Sequence, residues 1–139
     1  LALPTSALLL ATLTSAALPP RAAQASSLQA TIAGGREHSC AIKAGVLYCW
    51  GLNDFGQLGT GNNANSNRPV PVSGLGLGVT AVAAGRNHTC AIWGGALYCW
   101  GRNNFGQLGT GNNANSNTPV PVIGTDSGVT AVAAGAFHT

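Results

Sequence analysis

Residues 35–84 and 85–134 carry the same fifty-residue text, aligned without a gap and differing at 12 positions. An echo of this length at a fixed period marks a repeat architecture, in which each unit buries its apolar faces only against its neighbours. A third copy opens at Gly135-Ala136-Phe137-His138-Thr139. Ahead of the first copy, Gln29-Ala30-Thr31-Ile32-Ala33-Gly34 is a degenerate form of Val79-Thr80-Ala81-Val82-Ala83-Ala84. The chain therefore divides into a lead-in strand over 26–34, repeat 1 over 35–84, repeat 2 over 85–134 and the start of a third unit over 135–139.

Each unit predicts four short strands. In the second copy these are Val79 to Ala83, His88 to Trp93, Ala96 to Trp100 and a weak Pro119 to Val122. The prolines of the last suit an edge position, because proline cannot donate to a ladder. No stretch sustains a 3.6-residue apolar period, so helix is not expected. Gly94-Gly95 and Ala44-Gly45 are two-residue loops of the kind that tight hairpins require. Counting outward from them sets Ile42 opposite Leu47, Ala41 opposite Tyr48, Cys40 opposite Cys49 and Cys90 opposite Cys99. Opposed residues of an antiparallel pair lie ~4.5–5.5 Å apart at Cα, within reach of a disulfide.

The first 25 residues bear on whether such bonds form. Ala7 to Leu18 has the length of an export-signal core, and Ala23-Gln24-Ala25 fits small-x-small cleavage before Ser26. The basic leader of such a signal is missing and Met is absent throughout, so we expect a fragment truncated at least at its N-terminus. Export places four cysteines, an even set, where disulfides persist, which favours pairs Cys40–Cys49 and Cys90–Cys99. The competing readings are free buried thiols and a metal site using His38, Cys40 and Cys49. The Cys spacing does not match the two to four intervening residues of zinc knuckles and ribbons. No metal or cofactor is expected.

Four strands per unit, rich in Gly and repeated in tandem, describe a β-propeller blade. The expected class is all-β: four-stranded antiparallel blades packed face to face. Packing on both faces accounts for the unbroken apolar runs Cys90-Ala91-Ile92 and Leu97-Tyr98-Cys99-Trp100. A parallel β-helix is the structural rival, but its coils are shorter and lack two-residue hairpins.

Each unit reads Gly-x-x-His-Ser/Thr, a hairpin ending Leu-Tyr-Cys-Trp-Gly, Asn-x-Phe-Gly-Gln-Leu-Gly-Thr-Gly, Pro-Val-Pro-Val and Val-Thr-Ala-Val-Ala-Ala-Gly. These are Gly35, His38, Ser39, Trp50, Gly51, Asn53, Gly56, Gln57, Leu58, Gly59, Gly61, Pro69 and Val72, and the same set fifty residues on. The pattern resembles the regulator-of-chromosome-condensation repeat family from Gly35 to Thr139. The resemblance implies a seven-bladed propeller. A ring of that kind needs about 350 residues, so the remaining repeats are expected in a longer chain, or from several chains.

Composition excludes other classes. Charged residues make up 6% of the chain, with six basic and three acidic side chains. No Lys/Arg cluster suits a nucleic-acid backbone, and no apolar stretch of ~20 residues spans a bilayer. No nucleophile, base and orienting group recur at an interpretable spacing, so no enzyme is expected. His38, His88 and His138 recur at one point of each unit, which suggests a repeated structural task such as bonding a neighbouring backbone group. Trp50 and Trp100 are expected to pack between blades. The glycines of Phe55-Gly56-Gln57-Leu58-Gly59-Thr60-Gly61 serve turns, since no Lys-Ser/Thr follows to make a phosphate loop.

The candidate contacts are of two kinds. Asn65 and Asn115 lie in the repeated polar loop Asn62-Asn63-Ala64-Asn65-Ser66-Asn67 and its copy. Trp93, Arg102 and Arg68 lie at positions that differ between copies, where a constant frame would present changing side chains. Trp93, at a hairpin tip, is the leading contact candidate. The expected role is an exported scaffold that binds a protein or a cell-surface glycan, with no nucleic acid and no membrane contact beyond the signal. The resemblance also implies nucleotide exchange on a small GTPase, the activity of the best-known family member. Two further alternatives are a secreted enzyme inhibitor and a targeting module of a larger enzyme. The first follows from a secreted bacterial propeller that blocks beta-lactamase and has an element similar to Ser127-Gly128-Val129-Thr130-Ala131-Val132-Ala133-Ala134-Gly135.

Overall fold

A computed structural model describes residues 31–139; the proposed export signal, Leu1 to Ala25, lies outside the described residues. Eight strands form two four-stranded antiparallel sheets and, among the described residues, no helix occurs. The first sheet runs β1 (Ile32–Gly34), β2 (His38–Lys43), β3 (Val46–Gly51), β4 (Ser66–Pro71). The second runs β5 (Val79–Ala84), β6 (His88–Trp93), β7 (Ala96–Gly101), β8 (Ser116–Pro121). Each sheet is a simple meander, and β1 and β2 pack on β5, so the sheets stack face to face as successive blades.

The hairpin register follows from its turns. Ile42 pairs with Leu47, Ala41 with Tyr48 and Cys40 with Cys49, and the second hairpin repeats this at Cys90 and Cys99. The loop residues take positive φ, 50° and 77° at Ala44-Gly45 and 59° and 78° at Gly94-Gly95, as a type I′ turn demands.

The fourth strand differs from its sequence reading. It begins at Ser116, three residues before the expected Pro119, and ends at Pro121. A register shift between Cys99 and Gly101 lets Ser116 pair with Gly101, which extends the ladder backward. Ser116 Oγ donates to Thr118 O at 2.6 Å and supports that start. Val122 falls beyond the strand, although its N–H still reaches Leu97 O at 3.0 Å. The prolines do sit on an edge strand, paired on one side only.

The blades are out of phase with the fifty-residue text: β5 closes the first text copy but pairs with β6 in the second sheet. The main core lies between the sheets, where Leu58, Val72 and Leu75 of the first blade meet Val79, Val82, Ala91 and Trp100 of the second. Five of the six residues of β6 are buried, whereas burial alternates along the first half of β2. The strand with a blade on both faces is the one that is continuously apolar and continuously buried.

Candidate functional site

Antiparallel alternation sends the β1–β2, β3–β4, β5–β6 and β7–β8 loops to one end of the sheets. The two-residue turns and the β4–β5 linker lie at the other. The loop-bearing end is built from repeated polar residues that hold the frame and variable residues that stand on it.

Cys40 and Cys49 are bonded, with Cα atoms 4.1 Å apart, and Cys90 and Cys99 match them at 4.1 Å. All four are fully buried. Their sulfurs are thus spent on each other, in pairs that brace the two central strands of each blade.

The histidines act between blades. His38 is 3% exposed, and its Nε2 lies 2.9 Å from Thr89 Oγ1 of the next blade. Thr89 Oγ1 donates its single proton to Gln57 O at 2.8 Å, so the His38 Nε2–H must be the donor to Thr89. Trp100 Nε1 donates to the same Gln57 carbonyl at 2.9 Å. One backbone oxygen of the first blade therefore gathers a hydroxyl and an indole of the second. The pattern recurs onward: His88 Nε2 meets Thr139 Oγ1 at 3.1 Å, and Thr139 donates to Gln107 O at 3.0 Å. The side-chain partner of each is a hydroxyl of the next unit, and a backbone interaction of the kind the sequence suggested, His38 with His88 and His88 with His138, stands beside it.

The clasp explains two other repeated features. The imidazole of His88 lies against Gly85, and a Cβ there would overlap its Cε1 and come within 2.6 Å of Gly135 O. The His38 pKa is lowered to about 4, first by burial and then by the like charge of His88, against a raising backbone bond to His88. His38 Nδ1 is buried with no acceptor, so a second ring proton would find no partner. The His88 pKa is lowered also, chiefly by burial. His138 is exposed, its ring over Gly135.

Asn53 and Asn103, both fully buried, organise the β3–β4 and β7–β8 loops. Asn53 Nδ2 donates to Asn62 O and Ala64 O at 2.9 and 3.0 Å, and its Oδ1 accepts from Leu58 N–H at 2.9 Å. Its own N–H is taken by Asn65 Oδ1 at 2.7 Å, and Asn115 Oδ1 takes Asn103 N–H at 2.8 Å. Asn65 and Asn115 are exposed, yet their carbonyl oxygens serve the loop. Neither Asn53 nor Gln57 was singled out as functional by the sequence. Their signal was there: a polar residue repeated unchanged among glycines, with no charge nearby, has an internal partner.

The variable residues divide. Trp93 is half-buried; its indole N–H donates to Leu77 O at 2.9 Å and its ring centroid is 5.8 Å from that of Tyr98. It lies at the turn end, away from the loops. Arg102 is half-buried at the loop end, its guanidinium carbon 4.9 Å from the centroid of Phe55. Arg68 is exposed on edge strand β4. Arg86, not among the candidate contacts of the sequence reading, has its guanidinium carbon 5.4 Å from the ring centroid of Phe137. Trp100 is fully buried between blades, whereas Trp50 is half-buried beside a cavity of about 360 Å3 lined by Ala41, Lys43, Tyr48 and Pro69. Asn87, in the glycosylation-like triplet Asn87-His88-Thr89, is 7% exposed.

Blades that repeat at a fixed interval and interlock through His, Thr and Gln define a repeat propeller. The regulator of chromosome condensation (RCC1) repeat matches residues 44–92 and 94–139, and the chain belongs to that family. Over 51 residues, 36% of this chain, it is 45% identical to the ultraviolet-B receptor UVR8 of Arabidopsis thaliana, and it covers 12% of that protein. The crystal structure of Prp20p from Saccharomyces cerevisiae superposes with a TM-score of 0.67 at 23% identity, over 86% of this chain and 30% of that one. Human WBSCR16 gives 0.56 at 26% identity, over 65% of this chain and 24% of that one. The chain thus spans less than a third of the length of each of these relatives.

Proposed function

We propose that the chain is part of an exported, non-catalytic propeller scaffold that binds a partner protein through its loop-bearing end. The observation that carries this reading is where the repeated polar chemistry goes. His38, Thr89, Gln57, Trp100 and Asn53 all bond within or between blades, so the repeated polar chemistry goes largely into the frame, while the loop-bearing end carries positions that differ between copies, Arg102 and Asn104 among them. A frame of that kind supports recognition, because loops on a rigid scaffold change without disturbing it. Export is supported by the disulfide in each blade, since such bonds persist in oxidising compartments. A protein partner is supported by a relative of the same fold, Prp20p, studied for its binding to Gsp1p and histones.

The test is to express the protein with its own leader and carry a photo-crosslinker at Asn104 or at Ser73, exposed residues at opposite ends. The expected result is protein in the exported fraction, cystines intact by mass spectrometry, and cross-links from Asn104 alone. Retention inside the cell with free thiols would sink the export reading. Faster nucleotide release from a small GTPase, with no exported partner, would favour the exchange-factor alternative.

A further inference from the structure

The loop-bearing end carries an unusual pair of cations. Arg86 and Arg102 spring from adjacent loops, tied together where Arg102 N–H donates to Asn87 O at 2.9 Å. Arg102 leans back over Phe55 of the first blade and Arg86 leans forward over Phe137. Each Nε is buried with no acceptor. Among the described residues the ion pair is Arg36–Glu37, at 3.6 Å, and it involves neither arginine. The second copy carries fewer acids than the first: Asn87 and Asn104 stand where the first has Glu37 and Asp54, and Arg102 where it has Leu52, while the exposed Asp54 adjoins Phe55 without forming an ion pair among the described residues. Blade 2 therefore presents two guanidinium groups, each set over an aromatic ring and neither in an ion pair among the described residues.

We propose that this end docks an extended acidic segment of a protein, with carboxylates on the free guanidinium edges of Arg86 and Arg102 and an apolar side chain beside Phe55. The inference deepens the partner-binding reading above and rests on it. A guanidinium seated over an aromatic ring loses less freedom on binding, and with Nε buried its two Nη groups remain to make parallel bonds to one carboxylate. Two such groups beside exposed ring surface suit alternating acidic and apolar residues. They do not supply the row of cations that a phosphate backbone takes.

The experiment is fluorescence anisotropy on the full-length protein, with a labelled peptide of alternating Glu and Leu, its Gln-for-Glu version, and a heparin oligosaccharide. The Glu peptide should bind, more weakly as salt is raised, and the Gln version should not. Arg102→Gln and Arg86→Gln should each weaken binding about tenfold. Phe55→Leu should weaken it about threefold while keeping an apolar group in place. Thermal melts of each variant separate lost binding from lost folding, and Arg102→Lys, which keeps the charge but not the planar fork, should fall between. Three results would overturn the proposal: no Glu-peptide binding, binding indifferent to both arginines, or heparin binding that displaces the peptide and ignores Phe55→Leu. If Asn104 cross-links a partner that the Glu peptide does not displace, the acidic-segment inference fails and the partner-binding role stands. If the peptide binds as expected but no partner is cross-linked, the reverse holds.

Discussion

His38 joins the first blade to the second through a neutral ring, and that neutrality makes the joint sensitive to acid. The unfolded imidazole titrates near 6.5 and the folded one near 4. Between those values the unfolded chain binds more protons than the folded one, so stability rises with pH across the window. The contribution is fully present above about pH 6.5 and is lost as pH falls toward 4, by at most roughly 3 kcal/mol. Urea midpoints at a series of pH values should show this slope, and His38→Gln should flatten it. A midpoint unchanged across the window would contradict the assignment. Gly59 belongs to the same joint. Its φ is 70°, and a Cβ would stand 2.7 Å from Trp100 Nε1 and 2.9 Å from Val72 Cγ1. Gly59→Ala should cost about 3 kcal/mol, from left-handed strain and overlap with buried atoms, read as a fall in the denaturation midpoint. The sequence marked His38 and Gly59 as fixed points of the frame, because they repeat. It could not name Thr89 as the partner of His38, since the two are 51 residues apart and meet only across a blade boundary.

The hairpins are the most legible elements, because turn chemistry and alternation are local. The two copies differ in one instructive place: Ala44 takes φ 50° where the second copy has Gly94. An L-residue with a side chain pays about 1–2 kcal/mol in that region, partly offset by the greater freedom of Gly in the unfolded chain. Ala44→Gly should therefore raise stability by about 0.5–1 kcal/mol; a lower melting temperature would show that the turn is not the type I′ form described. The fourth strand was less legible. Its prolines announced an edge, but its start depends on a bulge opposite Gly51 or Gly101, and a bulge is set by how two strands meet. The loops before it are long and polar in sequence, and only the structure reveals that Asn53 and Asn103 tie them down from inside.

At the scale of the two described blades together, near-equal sequences live in unequal surroundings. His38–Lys43 and His88–Trp93 differ at two of six positions, yet the second strand is buried along almost its full length and the first is not. In a two-blade fragment of residues 31–139, hydrogen exchange should follow burial: amides of β6 and β7 should be protected longer than their counterparts in β2 and β3. Equal protection would mean that each blade is stable by itself and that the shared core contributes little. Residues 129–134 make the same point, since they repeat the text of β5 but form no ladder among the described residues. Val129 N–H holds Gly95 O at 2.9 Å as Val79 holds Gly45 O at 3.0 Å, so the path is kept. Strand character at β5 comes from β6 alongside it.

By itself the sequence determined the repeat, the antiparallel register and the opposition of the cysteines. Those depend on contacts within about ten residues of a turn, where chain connectivity leaves few alternatives. Only the tertiary structure decided that Trp100 is sealed between blades, what the histidines hold, and which arginines stand over aromatic rings without a carboxylate. Each of those is settled between blades, where burial and bonding depend on the neighbouring sheet and the same residues meet different partners.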